Sequence, residues 1–421
     1  MLFDIRDFGA VAEPGVINTK AIQAAIDACH GAGGGKVVVS GGTYTTGTLV
    51  MKSHVNLFVE ASGVLLSSPN CGKYAENQEF DNSRPYPFNV IYSGIIEDYG
   101  DYPEVEKRHV EIEALPRNRG TCLIYAENAE NFAITGMGTI NGNGPAFTEV
   151  APAEANHYTY YRRIHAPTPP RVVFLTGCRN VCIENITIVD PPAGWSYWIH
   201  DCDYVTFDKV KILADQKYPN NDGIHINCSR NVTVSNANLV CSDDCIIIRA
   251  NSRSLKENKP CENVTITNCN LNTPAGGIRI GFVNDGVIRN CVMSNVVMEN
   301  NHAGVFIELP DQELIQSDYG REASLVENIS FSNIIMNNVY YPVLIIMGQS
   351  EKTQIKAVRR LYFSDIRATC GELPYIRGRS GNRIEDIQFS NCTFYCRNEK
   401  PNPVMEYTND ISFTNARFIT E

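Results

Sequence analysis

No apolar run in the 421-residue chain approaches the roughly 18 residues of a membrane-spanning helix, so no helical span is expected. Positive charge is in short supply. Lys and Arg number 36 against 47 Asp and Glu, a formal charge of −11. That balance excludes a nucleic-acid partner, which needs a cationic face to release counterions, and disfavours an anionic membrane surface. No CxxC pair or Cys/His cluster has zinc spacing, although cysteines number 15. Cys182, Cys228, Cys269, Cys291 and Cys392 sit inside apolar strand-like runs, where a free thiol acts as a small hydrophobe. Reduced packing cysteines imply a cytoplasmic protein. The start, Met1-Leu2-Phe3-Asp4, lacks a charged region followed by an apolar one, which agrees with that expectation unless a leader has been removed. Helix signals are few.

What is present is repetition. From Asn180 a short pattern recurs: Asn-Val-Cys-Ile-Glu-Asn-Ile-Thr-Ile at 180, Tyr-Val-Thr-Phe-Asp-Lys-Val-Lys-Ile at 204, Asn-Val-Thr-Val-Ser-Asn-Ala-Asn-Leu at 231, and Asn-Val-Thr-Ile-Thr-Asn-Cys-Asn-Leu at 263. It continues from Asn290, Asn328, Leu361, Ile387 and Ile411, with an earlier copy at Asn131. Each copy alternates apolar and polar residues, the period of a strand with one buried face. Starts 24 to 38 residues apart, with no fixed leucine frame, predict an all-β, single-stranded right-handed parallel β-helix occupying the whole of 1–421 as one domain. Inward Val, Ile and Leu would stack on counterparts one coil along, about 4.8 Å away. The recurrent Asn is read as a structural amide ladder.

One amphipathic segment, 17–30, has apolar residues at 21, 22, 25, 26 and 29, and Gly31 to Gly35 end it. It is predicted to be a short helix that caps the N-terminal end of the solenoid. The stretches 70–120 and 145–170 break the repeat and are expected to be loop insertions lining a cleft. The second carries Tyr158, Tyr160, Tyr161, Arg162, Arg163 and His165.

Asp4-Ile5-Arg6-Asp7-Phe8-Gly9-Ala10 and Gly33-Gly34-Gly35-Lys36-Val37-Val38-Val39 resemble the opening of pectinase-type (pectin-lyase-like) β-helix proteins. Asn220-Asn221-Asp222-Gly223 and Ser242-Asp243-Asp244-Cys245, one coil apart, resemble two motifs of glycoside hydrolase family 28, the polygalacturonase family. The chemistry calls for such a cluster. Glycoside hydrolysis needs one protonated carboxyl at the leaving oxygen and a carboxylate for the water or the anomeric carbon. Crowded carboxylates repel, which keeps one of them protonated. The resemblance makes Asp243 the acid and Asp222 and Asp244 the groups that activate water for inversion. A gap of roughly 6.5–9.5 Å from Asp243 to one of its partners is then expected.

The chain also departs from the family pattern. Pro274-Ala275-Gly276-Gly277-Ile278-Arg279-Ile280-Gly281 stands where the family has Gly-His-Gly. Phe306 and Glu308 stand where it has the Arg and Lys that grip a galacturonate carboxylate. Repeat alignment stacks Trp198, His225, Ile247, Arg279 and Phe306 in one column, and His200, Asn227, Arg249, Gly281 and Glu308 in a second on the same strand face. This face is the expected cleft floor. Trp198, His225, Arg249, Arg279, Phe306 and Glu308 are its candidate substrate contacts, with Tyr341 one coil further. His225 follows Asp222 closely enough to tune it.

Two accounts of the departures compete. In the preferred one the sugar at the cleavage subsite is not galacturonate, because Glu308 repels a uronate and Phe306 or Trp198 offers a stacking face. In the other, galacturonate recognition by an exo-polygalacturonase has moved to Arg279 and Arg249. Arg249 also has a structural alternative, pairing with Glu308 across Gly281. The expected activity is therefore a glycoside hydrolase, inverting and exo-acting on a plant-type or pectic oligosaccharide, with no metal or other cofactor. The rivals are a β-helix lyase or transglycosidase, and a non-catalytic glycan-binding protein.

Overall fold

Asparagine sets the corners of this fold. The computed structural model describes residues 1–69, 122–150, 161–163, 171–192, 194–218, 220–252, 255, 257–282, 285–310, 322–349, 354–398 and 402–420. At the start of each repeat one residue takes a left-handed backbone: Asn131, Asn180, Tyr204, Asn231, Asn263, Asn290, Asn328, Arg360, Asp386 and Asp410, all with φ between 53° and 58°. Five residues on from Asn180, Asn231, Asn263, Asn290 and Asn328, a second asparagine does the same: Asn185, Asn236, Asn268, Asn295 and Asn333. Asn and Asp enter this region at lower cost than other residues with a Cβ. The second left-handed residue also shifts the alternation by one. Val181 and Ile183 before Asn185, and Ile186 and Ile188 after it, therefore all point inward and are buried.

The amides then bond along the solenoid axis. Asn328 Nδ2 donates to Asn290 Oδ1 at 2.8 Å, Asn333 to Asn295 at 2.8 Å, and Asn338 to Asn300 at 2.9 Å. These are the side-chain ladders expected from the repeat.

The strands form two large parallel sheets of 21 and 11 strands. In the larger sheet two lines of strands are fused by long strands that run through the asparagine corner, such as Cys261–Asn272, Val287–Glu299 and Ser324–Val339. Inside, like stacks on like. Phe331, Phe363, Phe389 and Phe413 form a column with ring centroids 4.7 to 4.9 Å apart. The helix runs from Thr19 to Gly31 and buries Ile22, Ala25, Ile26 and Cys29 in the same core as the N-terminal strands. All fourteen described cysteines are unpaired and thirteen are buried. Burial pushes the thiol of Cys291 up to about 12.

The insertion expected over 70–120 lies outside the described residues. Of 145–170, a 3-10 turn at Gly144–Ala146 and an antiparallel ribbon pairing Thr148–Val150 with Tyr161–Arg163 are described.

Candidate active site

The 11-stranded sheet carries the candidate site. Its register pairs Trp198 with His225, His225 with Ile247, Ile247 with Arg279, and Arg279 with Phe306. His200 pairs with Asn227 and Asn227 with Arg249. The first column thus stands as aligned from the repeats, and the second as far as Arg249, because a parallel ladder keeps one register across successive coils.

Asp222 lies just before the strand Ile224–Asn227, and Asp243 and Asp244 lie just before Ile246–Arg249 on the next coil. The two turns are knitted together. Gly223 N–H donates to the Asp244 carbonyl at 2.9 Å, and Asn221 N–H donates to Ser242 Oγ at 3.0 Å. Asn221 Oδ1 in turn accepts from Gly194 on the preceding coil at 3.0 Å. Gly223 is obligatory, since a Cβ there would lie 2.1 Å from the Cys245 carbonyl oxygen. This backbone coupling brings one oxygen from each of the three carboxylates within 4.8 Å of the others. The nearest oxygens are therefore closer than the expected gap, because a single interstrand spacing separates the two turns.

Each carboxylate has its own surroundings. Asp222 is buried, and its Oδ2 is 3.0 Å from His225 Nε2. His225 lies against Trp195, ring on ring at 3.3 Å, and the guanidinium of buried Arg171 covers the other tryptophan contacts, 3.3 Å from Trp195 and 4.3 Å from Trp198. Burial, reinforced by Arg171, Arg249 and Arg279, holds His225 well below its usual range. The lowered pKa favours the neutral imidazole, whose Nε2 faces the Asp222 carboxyl. Asp244 is also buried: Oδ1 accepts from Gly276 N–H at 2.7 Å and Oδ2 from Arg279 Nη1 at 2.8 Å. Asp243 is the most open of the three. It accepts from its neighbour's N–H at 2.9 Å and from the Asn220 amide at 3.4 Å.

The remaining expected contacts divide. Arg279, Phe306 and Glu308 are half-buried and adjoin one another: Arg279 Nη2 donates to Glu308, and its Cζ is 5.0 Å from the Phe306 ring centroid. Burial pushes the Glu308 carboxyl up, and Arg279 opposes that shift. Trp198 is buried, packed on Phe174 and Trp195. The alternative pairing of Arg249 with Glu308 is not what forms. Arg249 Nε donates to buried Asp285 at 2.7 Å, and Glu308 takes Arg279 instead. Asp285 also accepts from the Ala250 and Phe282 N–H groups, so this ion pair is part of the wall. Tyr341 pairs with Ala303, three residues short of the Phe306 position, which is matched by Leu344.

Sequence reasoning missed His302. It stands just before the strand Ala303–Leu309, with its backbone N–H on the Ala275 carbonyl and its ring against Tyr340 and Tyr341. Burial lowers its pKa while nearby Asp244 opposes the shift. Trp195 and Phe282 were also missed. Trp195 could have been flagged as one of only two tryptophans in the chain.

The three carboxylates offer the hard oxygen donors of a cation site. The fold already lays a guanidinium on Asp244, and an imidazole nitrogen lies 3.0 Å from Asp222.

Comparison with known proteins narrows the identity. A probable polygalacturonase from Arabidopsis thaliana is 29% identical over 230 residues, covering 53% of this chain and 45% of its own length. An endo-polygalacturonase from Pectobacterium carotovorum subsp. carotovorum is 23% identical over 382 residues, covering 89% of this chain and 83% of its own. The chain spans about half the length of the plant relatives it matches. In fold it is similar to a hyperthermoactive exopolygalacturonase from Thermotoga maritima, with a TM-score of 0.73 at 20% identity, covering 100% of this chain and 92% of that one. The family model for glycosyl hydrolases family 28 matches residues 110–405, a span that contains both aspartate motifs and the strands beneath them, and the chain belongs to that family.

Proposed function

We propose that this protein hydrolyses glycosidic bonds in a plant-type or pectic oligosaccharide, that the sugar at the cleavage subsite is neutral, and that the anomeric carbon inverts, a stereochemistry that rests on the family resemblance and not on the carboxylate gap, whose nearest oxygens lie within 4.8 Å. The observation that carries the proposal is the meeting of Asp222, Asp243 and Asp244 from two adjacent coils. Asp244 accepts from the Arg279 guanidinium and the Gly276 N–H, and Asp222 lies 3.0 Å from the His225 imidazole, which suits both to orient a water and take its proton. The family resemblance gives the proton to Asp243, and the crowding of three carboxylates within 4.8 Å favours keeping one of them protonated. Asp243 protonates the glycosidic oxygen as the bond to the anomeric carbon breaks. Water attacks that carbon from the opposite face and gives up its proton to Asp222 or Asp244.

The neutral sugar is supported by the fate of the arginines. Among the described residues of the floor, Arg279 is spent on Asp244 and Glu308, and Arg249 on Asp285. A uronate placed over Phe306 would meet Glu308 and, among the described floor residues, only guanidinium groups that already hold a carboxylate. The names of the relatives favour the second reading, galacturonate, in which the substrate carboxylate displaces Glu308 from Arg279. Exo action rests on the expectation of short substrates, and product-length analysis decides it. A panel of neutral aryl glycosides and galacturonate oligomers tests the choice of sugar. The expected result is turnover of a neutral glycoside with polygalacturonate a poor substrate. Rapid release of galacturonate would sink the neutral-sugar reading, and loss of activity with a chelator would favour a Ca²⁺-assisted elimination.

A further inference from the structure

One side chain in the cleft joins three coils. Arg279 rises from the strand Gly276–Ile280. On one side its Nη1 donates to Asp244 Oδ2 at 2.8 Å, and on the other its Nη2 donates to Glu308. The guanidinium is flanked by Phe282 and Phe306, with ring centroids 4.3 and 5.0 Å from Cζ. The same strand supplies the second anchor of Asp244, the Gly276 N–H at 2.7 Å. Gly276 makes this possible, because a Cβ there would lie 2.5 Å from Asp244 Oδ1.

Resting on the carboxylate roles proposed above, we propose that Arg279 is a positioning residue that fixes Asp244, and that Glu308 is the brace that holds Arg279 in that pose. A carboxylate with both oxygens tied to one strand has a single orientation toward the water it would activate. A guanidinium offers its donors in one rigid plane, and two partners on opposite sides define that plane where one would leave it free to turn. The aromatic rings close its faces. Glu308 also offsets the cation, so that Arg279 does not swing toward an anionic substrate.

The test uses the aryl glycoside that the wild-type protein cleaves fastest. Arg279→Ala should lower kcat by about 10²-fold, the scale for losing one preorganised charge contact, with KM nearly unchanged. Losing a neighbouring cation raises a carboxylate's pKa, so the acid limb of the pH–rate profile should move up by about one unit or more. Arg279→Lys should keep the wild-type limb and recover part of kcat, since it restores the charge without the fork. Glu308→Gln, nearly isosteric, should lower kcat without raising the limb, because Arg279 keeps its charge and loses its brace. A rise in KM alone in Arg279→Ala would make Arg279 a substrate ligand and overturn the proposal. If that variant does not fold, an unchanged kcat in Glu308→Gln would overturn it. If the wild type cleaves no glycoside, the hydrolase reading fails separately. The positioning of Asp244 is then read from ¹³C titration of its carboxyl: Arg279→Lys should leave it unchanged, and an identical titration in the wild type and Arg279→Ala would refute the role of Arg279.

Discussion

The two sides of the solenoid obey opposite rules. Along the corners and core of the larger sheet a residue is followed, one coil on, by its own kind: Asn328 over Asn290, Asn333 over Asn295, Phe363 over Phe331. Along the first column of the smaller sheet's floor no residue is followed by its own kind. His225, Ile247, Arg279, Phe306 and Leu344 succeed one another in a register just as regular. Both sides share backbone pairing, so the pairing does not require the variation. Repetition stabilises, because identical groups satisfy one another's hydrogen bonds and fill one another's volume. A column that varies is free of that duty and is open to chemistry.

The contrast is tested most severely by Asp243→Asn. Activity should fall by about 10² to 10⁴-fold, the usual contribution of a general acid, while thermal unfolding stays near that of the wild type. Near-native activity would remove Asp243 from the acid role.

The buried imidazoles give the next largest effect. Burial lowers His200 from 6.5 to about 4, and Asn227 Nδ2 lies 2.6 Å from its Nδ1, a contact that suits the neutral ring. His225 is lowered as well. As pH falls, the unfolded chain therefore takes up these protons first. The His200 contribution to stability should drop between about pH 6.5 and 4, level off below 4, and be constant above 7. The unfolding free energy from denaturant titrations should fall across that window on the order of 3 kcal/mol for His200, and His200→Gln should flatten the slope.

The smallest effect belongs to the repeating side. Asn333→Ala removes the 2.8 Å bond to Asn295 and leaves alanine at φ 51°. A loss of about 1–2 kcal/mol is expected, with kcat unchanged. A change in kcat would show that the corners are coupled to the cleft.

The same contrast explains what the sequence revealed. The solenoid, the amide ladder, the helix near 17–30, the first floor column and the second as far as Arg249 follow from a local pattern that repeats, so alignment of one coil on the next sufficed. The partner of Arg249 did not follow, because Asp285 sits beyond Gly281 in a connection between strands, where no register applies. His302 was hidden for a related reason. It precedes its strand, and the residue one coil earlier at its height is Ala275, too plain to mark the position. The bridge from Arg279 to Asp244 needed side-chain directions that spacing does not carry.

The distance between the candidate catalytic groups has an unusual origin. Asp222 and Asp244 are tied through Gly223, whose N–H meets the Asp244 carbonyl at 2.9 Å. Their separation is thus measured out by a peptide hydrogen bond and not by the packing of any loop. A floor side chain can therefore change without altering the spacing of the two turns, because that ruler is made of backbone.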